Sequence, residues 1–276
     1  MTSSSAWEVL VVRHGTLLTT RGAMFQHPDD PGAAQRIDYY FWVLRSRDET
    51  LLIDTGSSAD AMRERGRTVT VAPSRVLGAL GIGAEWAGTV VLTHAHWDHT
   101  GHLAELRSAR VVMARSEFDF WHSPESEEPA VRALADERDL EVIDRVSAEG
   151  RLSLVAPGAD GYELRPGVRL LPAPGHTPGQ LMVEVDTAVG PVLVTSDAVH
   201  FDEELARRTP FRHMVDVVSA HRSYDAIADR QEAPDGGRRA IVVPGHEPGL
   251  LDHYPRADGD LGLHTAVIGR LTEPMA

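Results

Sequence analysis

The chain contains no cysteine, which excludes a disulfide framework and any zinc–thiolate site. It has no uninterrupted apolar run of the roughly 18 residues a membrane-spanning helix needs, so no membrane attachment is expected. It is short of positive charge: 27 basic residues face 41 acidic ones, the net charge is −14, and no basic cluster stands out. A surface of that sign repels polyanions, so nucleic acid is not an expected partner, and a small-molecule substrate is. The polar start Met1–Ala6 and the brief apolar stretch Trp7–Val12 lack the core of a secretory signal. Together with the missing cysteines this makes the cytoplasm the expected location. No linker or internal repeat interrupts the 276 residues, so residues 1–276 are expected to form one domain.

What is present is a succession of short β patterns and helical ones. Trp7–Arg13, Ile37–Arg45 and Glu49–Asp54 read as strands, the last two joined across the polar turn Ser46–Asp48. Thr16–Gln35 reads as a long loop able to cap a pocket, with Met24 and Phe25 touching a substrate tail or packing on the body. Helical patterns fall at Ala59–Arg65 and Ser74–Leu80, near His99–Leu106 and Ser116–Trp121, and over Glu128–Val146 and Val215–Arg230. Further strands are expected at Gly88–Thr93, Arg110–Met113, Leu152–Val155, Val168–Ala173, Leu181–Val185, Val192–Thr195 and Ala240–Val243, before a polar tail. This order suits an α/β fold of two sheets packed face to face with helices on the outer faces.

The densest chemistry lies where an apolar strand ends, in Val90-Val91-Leu92-Thr93-His94-Ala95-His96-Trp97-Asp98-His99. Alternation on an extended segment puts His94 and His96 on one face, where both imidazoles can share a metal. A turn into helix then redirects Asp98 and His99 toward a neighbouring point. More donors are needed, and three later strands end in similar turns: Gly175-His176-Thr177-Pro178-Gly179, Ser196-Asp197 and Gly245-His246-Glu247-Pro248-Gly249. Any one of these is weak by itself; in this order after H-x-H-x-D-H they point to a metal centre.

These motifs, with Leu51-Leu52-Ile53-Asp54-Thr55-Gly56, resemble the metallo-β-lactamase superfamily over nearly the whole chain. The resemblance implies an αββα sandwich and two divalent ions, zinc first, with manganese, cobalt or iron also accepted by such donors. By the same resemblance His94, His96 and His176 hold the first ion, Asp98, His99 and His246 the second, and Asp197 bridges them. Asp54 is then expected to accept an imidazole N–H and fix a ligand tautomer. A metal-bridging hydroxide is the implied nucleophile, and Asp98 the implied proton shuttle. The cysteine-liganded β-lactamases are excluded by composition.

Within the superfamily the chain is most similar to the N-acyl-homoserine lactonases, in its length, the aromatic strand from Ile37 and the run Asp197-Ala198-Val199-His200-Phe201. That implies a lactonase, with a homodimer left open. Where such lactonases often carry a tyrosine three residues after the bridging aspartate, this chain has His200, which we expect to take over as donor to the developing oxyanion. The runner-up is a thioesterase or ester hydrolase resembling glyoxalase II. A non-catalytic metal-binding protein and a histidine phosphatase, the latter suggested by Arg13-His14-Gly15, are remote. His14 is expected at a strand end near the substrate entrance or on the surface, and Trp97 and Trp121 as packing residues.

Overall fold

The computed structural model describes residues 6–233 and 238–270; the start Met1–Ser5 and the last residues of the expected tail lie outside them. The first sheet is built from β1 (Glu8–Thr20), β2 (Ala34–Arg45), β3 (Thr50–Ile53), β4 (Thr68–Val69), β5 (Thr89–Val91), β6 (Arg110–Ala114) and β7 (Leu152–Val155). The second contains β8 (Tyr162–Arg165), β9 (Val168–Pro172), β10 (Leu181–Thr187), β11 (Gly190–Ser196) and β12 (Ile241–Pro244). The chain then returns to the first sheet as β13 (Thr265–Ile268), giving the order β13-β1-β2-β3-β5-β6-β7 with β4 on β1, against β12-β11-β10-β9-β8.

The layering follows from alternation along strands that are apolar on both sides. On β2, Tyr40, Trp42 and Leu44 point between the sheets, where they meet Val9, Ile53, Val183 and Val194. Phe41 and Val43 point the other way, with Leu10, Leu52 and Val90, onto Leu77, Trp121 and Ile143 of the outer helices. The outer face of the second sheet (Leu171, Met182, Leu193) is covered by Tyr224 and Ile227 of helix Val217–Glu232. Each large side chain buried this way contributes about 1.5–3 kcal/mol, so the strand order is fixed mainly by burial. The result is the expected αββα sandwich. Among the described residues no helix is long and apolar enough to cross a membrane.

Four expectations are corrected. Thr16–Gln35 is not a loop: β1 and β2 stay paired out to Thr20 opposite Ala34, past a bulge between Arg13 and Gly15, and only the tip leaves the sheet. That tip opens with the one-turn helix Arg21–Met24. The helix expected over Glu128–Val146 is two, Pro129–Arg132 and Glu137–Ala148, because Asp136 caps the second and Leu134 gives its carbonyl to the Trp97 amide. The turn after the metal motif is helical at Trp97–Thr100, earlier than expected, and continues as a 3₁₀ turn at Leu103–Glu105. Strand β13, in the segment expected to be a polar tail, is fully buried beside β1.

Candidate metal centre

The histidines and aspartates singled out in the sequence converge at one edge of the sandwich. Strands β3, β5 and β6 run parallel, as do β11 and β12, so their carboxyl ends open on the same crevice. From β5 come His94 and His96; from β9 comes His176; β11 and β12 deliver Asp197 and His246. His96 is still extended (φ −71°, ψ 154°), and the helical turn that follows swings Asp98 and His99 round. The turns are held tight by backbone contact. A Cβ on Gly175, at φ +145°, would lie 2.5 Å from Ala220 Cα, and one on Gly245 would lie 2.7 Å from the Ser196 carbonyl carbon.

Two groups of donor atoms result, His94–His96–His176–Asp197 and Asp98–His99–His246, each within 4.8 Å of one another. Asp197 stands between them. Its Oδ2 is 3.3 Å from His176 Nε2 and 3.7 Å from His94 Nε2, its Oδ1 is 3.2 Å from His99 Nε2, and His246 Nε2 lies 3.2 Å from Oδ1 and 3.3 Å from Oδ2. Asp98 Oδ2 lies 3.7 Å from His99 Nε2 and 3.6 Å from His246 Nε2. With metal–nitrogen bonds of about 2.0–2.1 Å, a tetrahedral site has donor–donor edges of about 3.3 Å, so these spacings suit cations at the two centres. Buried His94 Nε2, His99 Nε2 and Asp197 Oδ1 have no hydrogen-bond partner, and His96 Nδ1 faces His176 Nε2 at 2.8 Å. Inward-pointing bare donors of this kind are costly to bury unless something positive sits among them. Five imidazoles and two carboxylates so arranged fit divalent metal ions.

The outer atoms of these side chains are fixed by neighbours. Asp54, fully buried, accepts from His99 Nδ1 at 2.8 Å, from the Thr93 amide and hydroxyl at 2.8 Å each, and from Ser196 Oγ at 3.3 Å. The expected imidazole contact of Asp54 is therefore present, to His99. Having given its proton to Asp54, the Thr93 hydroxyl can accept from His94 Nδ1 at 3.1 Å, leaving Nε2 bare. His246 Nδ1 donates to the Asp38 carbonyl at 2.7 Å. A carboxylate missed from sequence, buried Glu117, accepts from the Ala95 and Gly179 amides, Thr177 Oγ1 and Trp121 Nε1, and so ties the His96 loop to the His176 loop. Its only signal in the sequence was an acidic residue inside an otherwise apolar helical face.

Burial pushes His94 and His176 well below the ordinary histidine value and His96 down to about 3, so these imidazoles are neutral, as ligands must be. His99 is also penalised by burial, but Asp197, Asp98 and Asp54 together outweigh that and raise it well above 6.5. The rise marks the negative field that the three carboxylates set up where a cation would sit.

His200 is fully buried at the edge of the same cavity, its ring stacked on Phe211 with centroids 3.6 Å apart. Its Nε2 lies 3.2 Å from Asp197 Oδ2 and its Nδ1 3.2 Å from Glu204 Oε1, close enough to pair but off-angle for hydrogen bonds. Burial lowers its pKa, yet these carboxylates raise it to about 9. Glu204, in the lactonase-like stretch after Asp197 but given no role from sequence, accepts from the His200, Phe201 and Phe211 amides and from Tyr224 Oη, holding this corner together. The cavity over the cluster, about 100 Å³, is lined further by Met24, Tyr39, Arg67 and Trp97. Met24 thus faces the cavity, whereas Phe25 packs on Phe201. Trp97, expected as packing only, is also part of the wall. Larger hollows of about 250 and 350 Å³ lie elsewhere and do not contain the cluster. His14 is neither at a strand end nor exposed: it sits at the β1 bulge, buried beside Tyr39 and Phe41, and burial takes it down to about 3. His14 therefore faces the core and offers no nucleophile to a substrate, while Arg13 beside it is partly exposed and paired with Asp38.

The metallo-beta-lactamase superfamily model matches residues 38–246. An N-acyl homoserine lactonase of a Bacillus species is 25% identical over 197 residues, covering 66% of this chain and 72% of the relative. One from Agrobacterium fabrum is 27% identical over 251 residues, 81% and 85% of the two chains. Among solved structures, a quorum-quenching N-acyl homoserine lactone lactonase superposes with a TM-score of 0.74 at 20% identity, covering 90% of this chain and 95% of the other. The dizinc quorum-quenching lactonase AidC, solved with its product, superposes at 0.66 with 15% identity and coverage of 99% and 97%. With its αββα layers, its strand-end histidines and aspartates and a family match over most of its length, the chain belongs to the metallo-beta-lactamase superfamily.

Proposed function

We propose that the protein is a two-metal hydrolase that opens lactones, N-acyl homoserine lactones or related cyclic esters. The observation that carries it is the position of Asp197 between the two donor groups, its Oδ2 facing His94 and His176 and its Oδ1 facing His99, with His246 Nε2 within 3.3 Å of both oxygens. In this reading His94, His96 and His176 hold one cation, Asp98, His99 and His246 the other, and Asp197 both. Zinc is the proposed metal, since the donors are all nitrogen and oxygen and a related lactonase is described as dizinc. Such cations, when bound, acidify water and polarise an ester carbonyl. The chain's own residues do the rest. Asp98, whose carboxylate borders the cavity, is placed to carry a proton to the departing alkoxide. His200 is proposed to donate toward the carbonyl oxygen as charge builds there, held in orientation by Glu204 and Phe211. The apolar side of the cavity, with Met24 and Phe211, excludes bulk water and receives an acyl tail. The named activities of the related chains support the lactone as substrate.

The test is acid release from a panel of lactones with matched open-chain esters and thioesters, using metal-loaded protein in weak buffer. Turnover of lactones is expected, falling at least 100-fold in Asp98→Asn with loss of second-site metal. Activity confined to thioesters or open esters would replace the lactonase with the glyoxalase-like alternative. For His200→Phe a drop in kcat with metal content retained is expected; unchanged kcat removes His200 from the chemistry.

A further inference from the structure

Among the described residues, Arg67 is the one guanidinium that lines the cavity over the metal cluster. It is built in rather than adventitious: Nε donates to Tyr39 Oη at 3.1 Å, a terminal nitrogen donates to the Arg65 carbonyl, and its Cζ lies 5.5 Å from the Trp97 ring centroid. On the same indole, with Cζ 4.9 Å from the ring, Arg65 is fully engaged, giving both terminal nitrogens to the Ala133 and Ala135 carbonyls. Arg67 differs from most arginines of this acidic chain. Arg13, Arg21, Arg36, Arg45, Arg132 and Arg138 each pair with a carboxylate, whereas no described carboxylate lies within 4.0 Å of Arg67. Tyr39 adds to this, because a hydroxyl that accepts from Arg67 keeps its own hydrogen to give. Its ring packs edge-on against His246, 5.2 Å between centroids, so the pair borders the metal cluster. A fixed cation with a free donor and a neighbouring hydroxyl match a planar, negatively charged oxygen group.

We propose that Arg67 and Tyr39 form a subsite for a carboxylate that the substrate carries outside the ester being cleaved. This rests on the hydrolase reading above and narrows its substrate class to lactones with an anionic tail. The group stands off from the scissile bond, so its effect falls on binding and on the choice between substrates.

Two lactones with acyl tails of equal length, one ending in a methyl and one in a carboxylate, test it on the metal-loaded protein. The carboxylate-tailed lactone should have a KM at least tenfold lower. Arg67→Gln should raise that KM at least tenfold more than it raises the KM of the methyl-tailed lactone; Arg67→Lys should recover part of the loss. Tyr39→Phe, which keeps the ring packing, should also narrow the preference. Equal KM values for the two lactones, or an equal rise for both in Arg67→Gln, would overturn the subsite. Calorimetric binding of the two ring-opened products gives a readout free of turnover. If neither lactone is hydrolysed, the lactonase reading fails, while preferential binding of the carboxylate-tailed product, lost in Arg67→Gln, still supports the subsite and its absence refutes it.

Discussion

Asp54 accepts from side chains or amides of three separate segments, and it does so from a left-handed backbone, φ +58°. Ser196, next to Asp197, is also left-handed at φ +46°. Such conformations in residues other than glycine cost on the order of 1–3 kcal/mol and persist only where the surroundings enforce them. Asp54→Asn tolerates the backbone but turns one acceptor into a donor facing N–H groups. Metal affinity, measured by competition with a chelator, should fall about 10–100-fold, and an unchanged affinity would show that Asp54 does not hold the cluster. The histidines predict the pH response of the metal-free protein. Burial keeps His14, His94, His96 and His176 below 6.5 when folded, so unfolding lets them take up protons and stability falls as pH drops below 6.5. His99 and His200 act in the opposite sense, stabilising below 6.5, with the His200 contribution lost as pH rises through about 9. Below 6.5 the raised pair is protonated both folded and unfolded and adds no slope, so the four lowered histidines leave a net loss on acidification that approaches roughly 5 kcal/mol per pH unit. Denaturant melts in chelator at pH 5, 6 and 7 should show it. Asp54 was legible because it ends an apolar strand in Leu51-Leu52-Ile53-Asp54-Thr55-Gly56. Arg67, Glu117 and Glu204 were not, since nothing local distinguishes them from solvated charges; only the fold brings their partners to them.

At the scale of elements, the tip of the β1–β2 hairpin and the segment after Asp197 meet across the cavity. Arg21 donates to both oxygens of Glu203 at 2.7 and 2.6 Å, the Arg212 amide donates to the Met24 carbonyl at 2.7 Å, and Phe25 bridges Phe211. Glu203→Gln removes half of that ion pair. Because both side chains retain some exposure, global stability should drop by about 1 kcal/mol or less. Amides of 21–26 should exchange distinctly faster, as read by hydrogen exchange; equal exchange would mean that the apolar contacts hold the tip unaided. The strands that were legible are those with an aromatic or β-branched alternation, such as Ile37–Arg45. The extension of β1 to Thr20 was hidden by polar threonines that pair at the edge of the body, and β13 by its length of four residues. The break at residues 133–136 escaped notice because Trp97, which takes the Leu134 carbonyl, is far away in sequence.

Over the whole molecule, all 27 basic residues are arginine, and the negative excess of the surface contrasts with Arg67, which lines the cavity with no described carboxylate within 4.0 Å. Approach of an anionic substrate is then opposed by the molecule as a whole and favoured only near its goal. Raising the ionic strength should weaken both influences, so kcat/KM for anionic and neutral lactones should change by different factors between low and high salt; a common factor would leave the field without influence.

The seven clustered residues come from loops on both sheets, His94 to His99 from the first and His176, Asp197 and His246 from the second. A cation among them is a rivet through the sandwich as well as a reagent, and it can be set only when both halves are in place. Metal at 100 times its dissociation constant should add about 2.7 kcal/mol to the folded state per site. During synthesis, the first four donors emerge long before His246, so the rivet cannot close until nearly the whole chain is made. The full donor set therefore waits on β12, with only β13 left to join the first sheet among the described strands.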